Sequence, residues 1–128
     1  MPGYLQIPKF LMYFCFMYSK ELLKGTLKTI ILKLLAENGK MYGYEITQKV
    51  KMMSSDKIVI TEGALYPSLH KLEAEGLLQT ETINIGKRVR KYYSLTPQGT
   101  STVKNKLEEF ADFVETMQTL LSLKTATS

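Results

Sequence analysis

The chain has 128 residues, 45% hydrophobic and 23% charged, with 17 basic and 12 acidic side chains and a formal charge of +5. This length and balance suit one globular domain and exclude a low-complexity or fibrous chain. A lone cysteine, Cys15, and a lone histidine, His70, exclude an internal disulfide and leave too few soft ligands for zinc, so no metal or cofactor is expected.

The charge is uneven. Residues 1–95 hold 14 basic and 8 acidic residues, whereas residues 96–128 hold 3 and 4. A basic front points to an anionic partner or to a solvated lysine-rich surface. The single thiol fits a reducing cytoplasm.

At the start, Phe10–Tyr18 reads FLMYFCFMY. It is too short for a membrane span, which needs about 20 apolar residues. It also lacks the basic lead and the small-residue cleavage site of a signal peptide. Two readings are open: an arm that packs on the body or on a partner subunit, or a gene-start artefact over residues 1–16 with the true start at Met17. The second is the expectation.

A first helix is expected over Ser19–Glu37, where Leu27, Ile30, Ile31, Leu34 and Leu35 form a broad apolar stripe. Gly39 stops it. A second helix follows over Gly43–Met52, with Ile46 and Val50 inward, then a loop at Ser54–Lys57. Ile58–Ile60 reads as a brief strand or a lead-in. Thr61 is the expected N-cap of a third helix that ends near Gly76.

From Leu77 the period changes. Leu77–Ile85 alternates and is rich in Thr and Ile, residues 86–88 make a turn, and Val89–Leu95 forms a second strand. This hairpin has a basic tip. Thr96 and Pro97 then open a last helix as N-cap and first helical residue. It carries Val103, Leu107, Phe110, Val114, Met117 and Leu121, spaced 4, 3, 4, 3 and 4, which is a heptad seam.

The third helix raises a question of composition. Advancing about 100° per residue places Leu65, Leu69 and Leu72 on the buried side. Gly63, Pro67, His70 and Ala74 then face outward, with Ala64 and Lys71 on one flank and Tyr66 on the other. Small outward residues let the backbone approach a surface closely. Pro67 sits early, where a missing N–H costs least. The free amides of the helix start, with Thr61, can meet a phosphate. Beside this helix, Lys87, Arg88, Arg90 and Lys91 crowd like charges that no core requires, and a polyanion would relieve them. Tyr92 and Tyr93 take opposite strand faces, one in the core. The pattern favours duplex DNA over a merely solvated surface.

An enzyme is not expected. There is no glycine-rich phosphate loop and no nucleophile–histidine–acid set. Glu73 and Glu75 point to different faces, and Glu108 and Glu109 lie on an exposed flank.

Three stretches carry a family resemblance: ELLKGTLKTIILKLLAENGKMYGYEI (Glu21–Ile46), GALYPSLHKLEAEGLL (Gly63–Leu78) and RKYYSLTPQG (Arg90–Gly99). They resemble the PadR family of bacterial transcriptional regulators over most of the chain from Met17 to about Leu123. The resemblance implies a mainly α fold with a small β-hairpin, a winged helix-turn-helix plus a C-terminal dimerisation helix. The layout would be an apolar extension over 1–18, a DNA-binding domain over 19–95, a dimerisation helix over 96–123 and a frayed tail over 124–128.

The resemblance further implies a homodimer joined through the last helix, repressing nearby genes until a small molecule intervenes. It is closest to the compact subfamily, some of whose members bind flat aromatic compounds between subunits, and Phe110 matches the position of their pocket aromatic. Without a Trp in the chain, Phe110 is open to two readings, dimer core or pocket wall. The expected DNA set is Tyr44, Thr61, Gly63, Ala64, Tyr66, Pro67, His70, Lys71, Lys87, Arg88, Arg90 and Lys91, acting on a pseudo-palindromic operator. The expected dimer and effector set is Val103, Leu107, Phe110, Val114, Met117 and Leu121. No membrane contact is expected. The alternative function is a winged-helix protein-interaction module without specific DNA binding.

Overall fold

The computed structural model describes residues 18–123. Cys15, the apolar start up to residue 17 and the tail over 124–128 lie outside the described residues, and so do the readings made of them.

The first expected helix is two. α1 spans Lys20–Lys24, capped by Ser19, whose hydroxyl accepts from the Leu22 amide at 3.2 Å; α2 spans Leu27–Asn38. The break falls at Gly25, whose amide turns back to the Leu23 carbonyl, and the Thr26 hydroxyl donates to the same oxygen at 3.0 Å. A glycine followed by a hydroxyl that competes for backbone acceptors weakens a helix at this point. Gly39, at φ 80°, closes α2 as expected.

Next come β1 (Met41–Tyr42), α3 (Gly43–Met53) and α4 (Glu62–Ala74). Glu45 closes the start of α3 by accepting from the Tyr42 amide at 3.1 Å. In the loop between the helices, Ser55 and Asp56 hold φ values of 53° and 65°. This tight turn is pinned by the Asp56 amide on the Lys51 carbonyl at 2.8 Å and by the Ile58 amide on the Ser54 hydroxyl at 2.9 Å. Ile58–Ile60 is a lead-in, not a strand. Thr61 caps α4, its Oγ1 accepting from the Ala64 amide at 3.2 Å.

The hairpin is β2 (Leu78–Ile85) and β3 (Arg88–Leu95), in antiparallel register from Leu78↔Leu95 to Ile85↔Arg88. Only Gly86 and Lys87 lie in its turn. Gly86 has φ 62°, the left-handed value that a two-residue hairpin asks of its first central residue. The sheet has three strands in the order β1-β3-β2, because Met41 and Tyr42 pair with Tyr93 and Tyr92. The last helix, α5, spans Pro97–Leu120.

One core joins all of these. Ile31, Leu32, Leu34 and Leu35 of α2 meet Ile46 and Val50 of α3, Leu65, Leu69 and Leu72 of α4, and Tyr93 of β3. Tyr93 is 1% exposed, and its burial holds the phenol above its ordinary pKa. The Leu triplet of α4 is therefore what fixes the opposite face of that helix outward. Truncating any of the three would cost about 2–5 kcal/mol.

α5 is seated by its first turn. The Thr96 hydroxyl donates to the Gly76 carbonyl at 2.6 Å and accepts from the Gly99 amide at 3.0 Å, while the Thr96 amide donates to the Leu77 carbonyl at 3.0 Å. Gly99 lies so close to that carbonyl that a Cβ would strike it. The Leu-Thr-x-x-Gly run is thus a joint between hairpin and helix.

Candidate nucleic-acid interface

The outward face of α4 is as small as its sequence suggested. Gly63, Ala64, Pro67, His70, Lys71 and Ala74 are all exposed. Around Gly63 the only atom within 4 Å of an added Cβ is its own cap, Thr61 Oγ1, at 3.9 Å. The absence of a side chain at Gly63 is therefore not forced from inside the molecule.

Tyr66 is placed differently from a simple flank residue. Its ring lies over Gly43, where an added Cβ would collide with the hydroxyl and stand 2.9 Å from Cζ. The phenol is turned back to the start of α3, and a bare glycine there is the condition for it. The Tyr66 ring also tilts against His70, with centroids 6.4 Å apart. The Ser68 hydroxyl is taken by the Ala64 carbonyl at 3.2 Å. On the outward face this leaves His70 and Lys71 as side chains with donors, set among Gly63, Ala64 and Pro67.

Tyr44 stands at the second position of α3 and is 64% exposed. It belongs to a shallow concavity with Tyr42, Arg88, Val89 and Arg90. The first turn of α3 and the outer face of the wing thus share one depression.

The four wing cations do not act as one group. Strand alternation sends Arg88 and Arg90 to the outer face with Tyr92, and Lys91 to the inner face with Tyr93. Lys91 reaches Glu73 of α4 at 4.0 Å, with its ammonium 5.4 Å from the Tyr93 ring centroid. This pair ties wing to helix and partly spends the Lys91 charge. Lys87 and Arg88 are exposed at the tip. Arg90 lies with its guanidinium carbon 4.3 Å from the Tyr42 ring centroid. The neighbouring Tyr92 side chain is the main reason its pKa is held further above the ordinary arginine value.

Tyr42, Gly43 and Glu73 were not among the expected site residues. The alternation of β3 could have separated Lys91 from the two arginines. Nothing in the sequence announces the Tyr42–Arg90 contact, because it depends on β1 pairing with a strand 50 residues away.

The seam of α5 is divided. Val103 is 6% exposed and sits in the chain's own core, and Leu107 packs partly against it. Phe110 and Met117 are half-buried, whereas Val114 and Leu121 are exposed, beside Phe113 at 54% and Leu120 at 69%. An apolar groove between α2, α3 and α5 is walled by Ile30, Leu34, Val50, Met53, Leu107 and Phe110.

Among the described residues no cluster of His, Cys, Asp and Glu could hold a metal, and no helix is long and apolar enough to cross a membrane. A small outward helix face beside a basic hairpin is the geometry of a protein that reads duplex nucleic acid.

Known proteins agree. The model of the "Transcriptional regulator PadR-like family" matches residues 31–105. Transcriptional regulator Rv3488 of Mycobacterium tuberculosis is 34% identical over 95 residues, spanning 72% of this chain and 85% of that protein. A transcriptional regulator from Clostridium thermocellum superposes with a TM-score of 0.72 at 32% identity, over 80% of this chain and 96% of its own. Bacillus subtilis PadR, solved in complex with operator DNA, superposes at 0.59 with 34% identity, over 64% of this chain and 46% of its own. These relatives are regulators of transcription and not enzymes, and this chain belongs to the PadR-like family of transcriptional regulators.

Proposed function

We propose that the protein is a sequence-specific DNA-binding repressor that acts as a homodimer and releases its operator on binding a small aromatic effector. The observation that carries the reading is the outward face of α4, bare at Gly63, Ala64 and Pro67 and flanked by the basic wing. In the dimer, two copies of α4 enter adjacent major grooves about 34–36 Å apart on a pseudo-palindromic site. Tyr44, Thr61, Lys71 and the wing hold phosphates, and His70, Pro67 and Ala64 lie nearest the base edges. With Tyr66 turned toward Gly43, hydrogen-bonded readout rests on His70 and Lys71. DNA shape therefore supplies much of the specificity.

The exposed apolar end of α5 supports the dimer reading. Phe113, Val114, Leu120 and Leu121 leave a face that a second α5 would cover. The groove at Leu107 and Phe110 is the effector seat in this reading. Its wall includes Val50 and Met53 of α3, so an occupant would press on the dimer helix and the reading head together. Switching then follows from different effector affinities for two spacings of the α4 pair.

The test is fluorescence anisotropy with a duplex from upstream of the protein's own gene, against a scrambled duplex, over a salt series. Preference for the native duplex with a steep salt slope is the expected result. Equal, weak binding to both would sink the reading and favour a protein partner on α5. Sedimentation of the wild type and of Val114→Glu tests the dimer, which the charge should break.

A further inference from the structure

On the outer face of the sheet a row of cations and rings runs from Lys40 to Arg90. The Lys40 ammonium lies 5.8 Å from the Tyr92 ring centroid, and Tyr92 meets Tyr42 edge to face at 5.4 Å and 73°. Tyr42 in turn carries the Arg90 guanidinium at 4.3 Å. Lys40 is balanced by Glu81 at 3.3 Å. Arg88 and Arg90 form no salt bridge among the described residues; the Glu45 carboxylate near Arg90 is already bonded to the Tyr42 amide.

Such an arrangement is unusual for an arginine that only solvates a surface. A guanidinium held 4.3 Å from the centroid of one ring, which Tyr92 braces edge to face, has lost rotational freedom. Its five donors lie in one plane, and most remain unengaged. Beside it, Arg88 and the exposed Tyr44 line the same concavity. Two cations and a phenol around a shallow depression suit one monoanionic phosphodiester, which a planar fork binds at two oxygens.

We propose that the concavity of Tyr42, Tyr44, Arg88 and Arg90 seats a single backbone phosphate of duplex DNA, with Arg90 as the bidentate ligand and Tyr42 and Tyr92 as its positioning residues. The proposal deepens the DNA-binding reading above and rests on it. Tyr42 supplies a π face and needs no hydroxyl for this purpose. Tyr92 braces that ring edge to face with its own. In both roles the ring is what acts, and a leucine cannot replace it.

The experiment measures affinity and salt slope by anisotropy on the upstream duplex for the wild type, Arg90→Ala, Tyr42→Phe, Tyr42→Leu and Tyr92→Leu. Arg90→Ala should weaken binding and lower the salt slope by about 1, one counterion per phosphate. Tyr42→Leu and Tyr92→Leu should weaken binding about 3- to 10-fold, the cost of ordering one long side chain, at an unchanged slope. Tyr42→Phe should bind as the wild type does. The split between affinity and slope, and the rescue by Phe at 42, are effects that general loosening of the sheet would not produce.

A duplex carrying uncharged methylphosphonates, scanned through its flanks, should weaken the wild type at one phosphate per half-site and leave Arg90→Ala indifferent there. Exchanging chloride for inorganic phosphate at matched ionic strength should change nothing. If phosphate competed with the wild type but not with Arg90→Ala, the seat would belong to free phosphate and the assignment to DNA would fall. If Arg90→Ala kept the wild-type slope, the seat itself would fall. If Tyr92→Leu and Tyr42→Leu bound as the wild type, the positioning roles would fall. A wild type that did not distinguish native from scrambled duplex would sink the DNA-binding reading first, a result separable from each of these.

Discussion

Gly99→Ala should destabilise the fold, although helix propensity alone says the reverse. Ala is favoured over Gly within a helix by about 1 kcal/mol. Against this, the new methyl would run into the Leu77 carbonyl oxygen, stand 3.0 Å from its carbon and reach 3.3 Å from Leu95 Cδ2. The obstacle is backbone in the turn into β2, so no rotamer change clears it, and relief means moving α5 off the hairpin. Overpacking of this kind costs about 1–3 kcal/mol. Moving the joint also strains the Thr96 amide bond to the same carbonyl, whose loss costs about 0.5–1.5 kcal/mol. The net expectation is a loss of about 1–3 kcal/mol. Urea unfolding followed by circular dichroism at fixed protein concentration would show it as a midpoint about 1 M lower, given the denaturant slopes of small proteins. A variant that unfolds at the wild-type midpoint or above would refute the close-approach reasoning.

Gly63→Ala makes the opposite case: open space and better propensity predict stability unchanged or raised by up to about 1 kcal/mol, with operator affinity falling because the methyl stands on the face proposed to meet DNA; unchanged affinity by anisotropy would remove Gly63 from the proposed interface. Gly43→Ala should cost little stability, since the obstacle is the mobile end of Tyr66, but should swing that ring outward and weaken operator binding; tyrosine fluorescence and anisotropy together would report it. Thr96→Ala should lose about 1–2 kcal/mol in urea, with Thr96→Ser recovering most of it, because the hydroxyl both caps α5 and holds Gly76. Tyr93 has a folded pKa above its unfolded value, so its stabilising share is complete below about pH 10 and is lost as pH rises through the folded value. Tyr93→Phe should flatten the fall in urea midpoint between pH 9 and 11.

Much of the fold is legible in local chemistry. Thr61 and Thr96 cap their helices as their position before an apolar-periodic run suggests, and Leu65, Leu69 and Leu72 orient α4 from spacing alone. What escapes the sequence is whatever depends on distant partners. β1 is two residues long and has no pattern of its own; only Tyr92 and Tyr93 make it a strand. The Gly25 break escapes notice because the apolar stripe that marks the helix lies wholly in α2, from Leu27 to Leu35, and α1 buries no residue. The wing reads as four equal cations until register separates Arg88 and Arg90 from Lys91. The seam of α5 looks uniform, yet Val103 is spent on the chain's own core because the Gly99 joint presses the start of the helix onto the body.

β1 also has a bearing on the order of assembly. Met41 and Tyr42 have no neighbour in sequence with which to pair, so this strand cannot exist before β3 is made and folded back across some fifty residues. Closing so long a loop is entropically slow compared with forming a helix. The helices can gather on their leucines early, whereas the start of α3, held through the Tyr42 amide by Glu45, acquires its final bearing only when the wing arrives. A nascent chain released before residue 95 would hold its helices without a settled first turn of α3, and the face that α3 shares with the wing is finished from its far end.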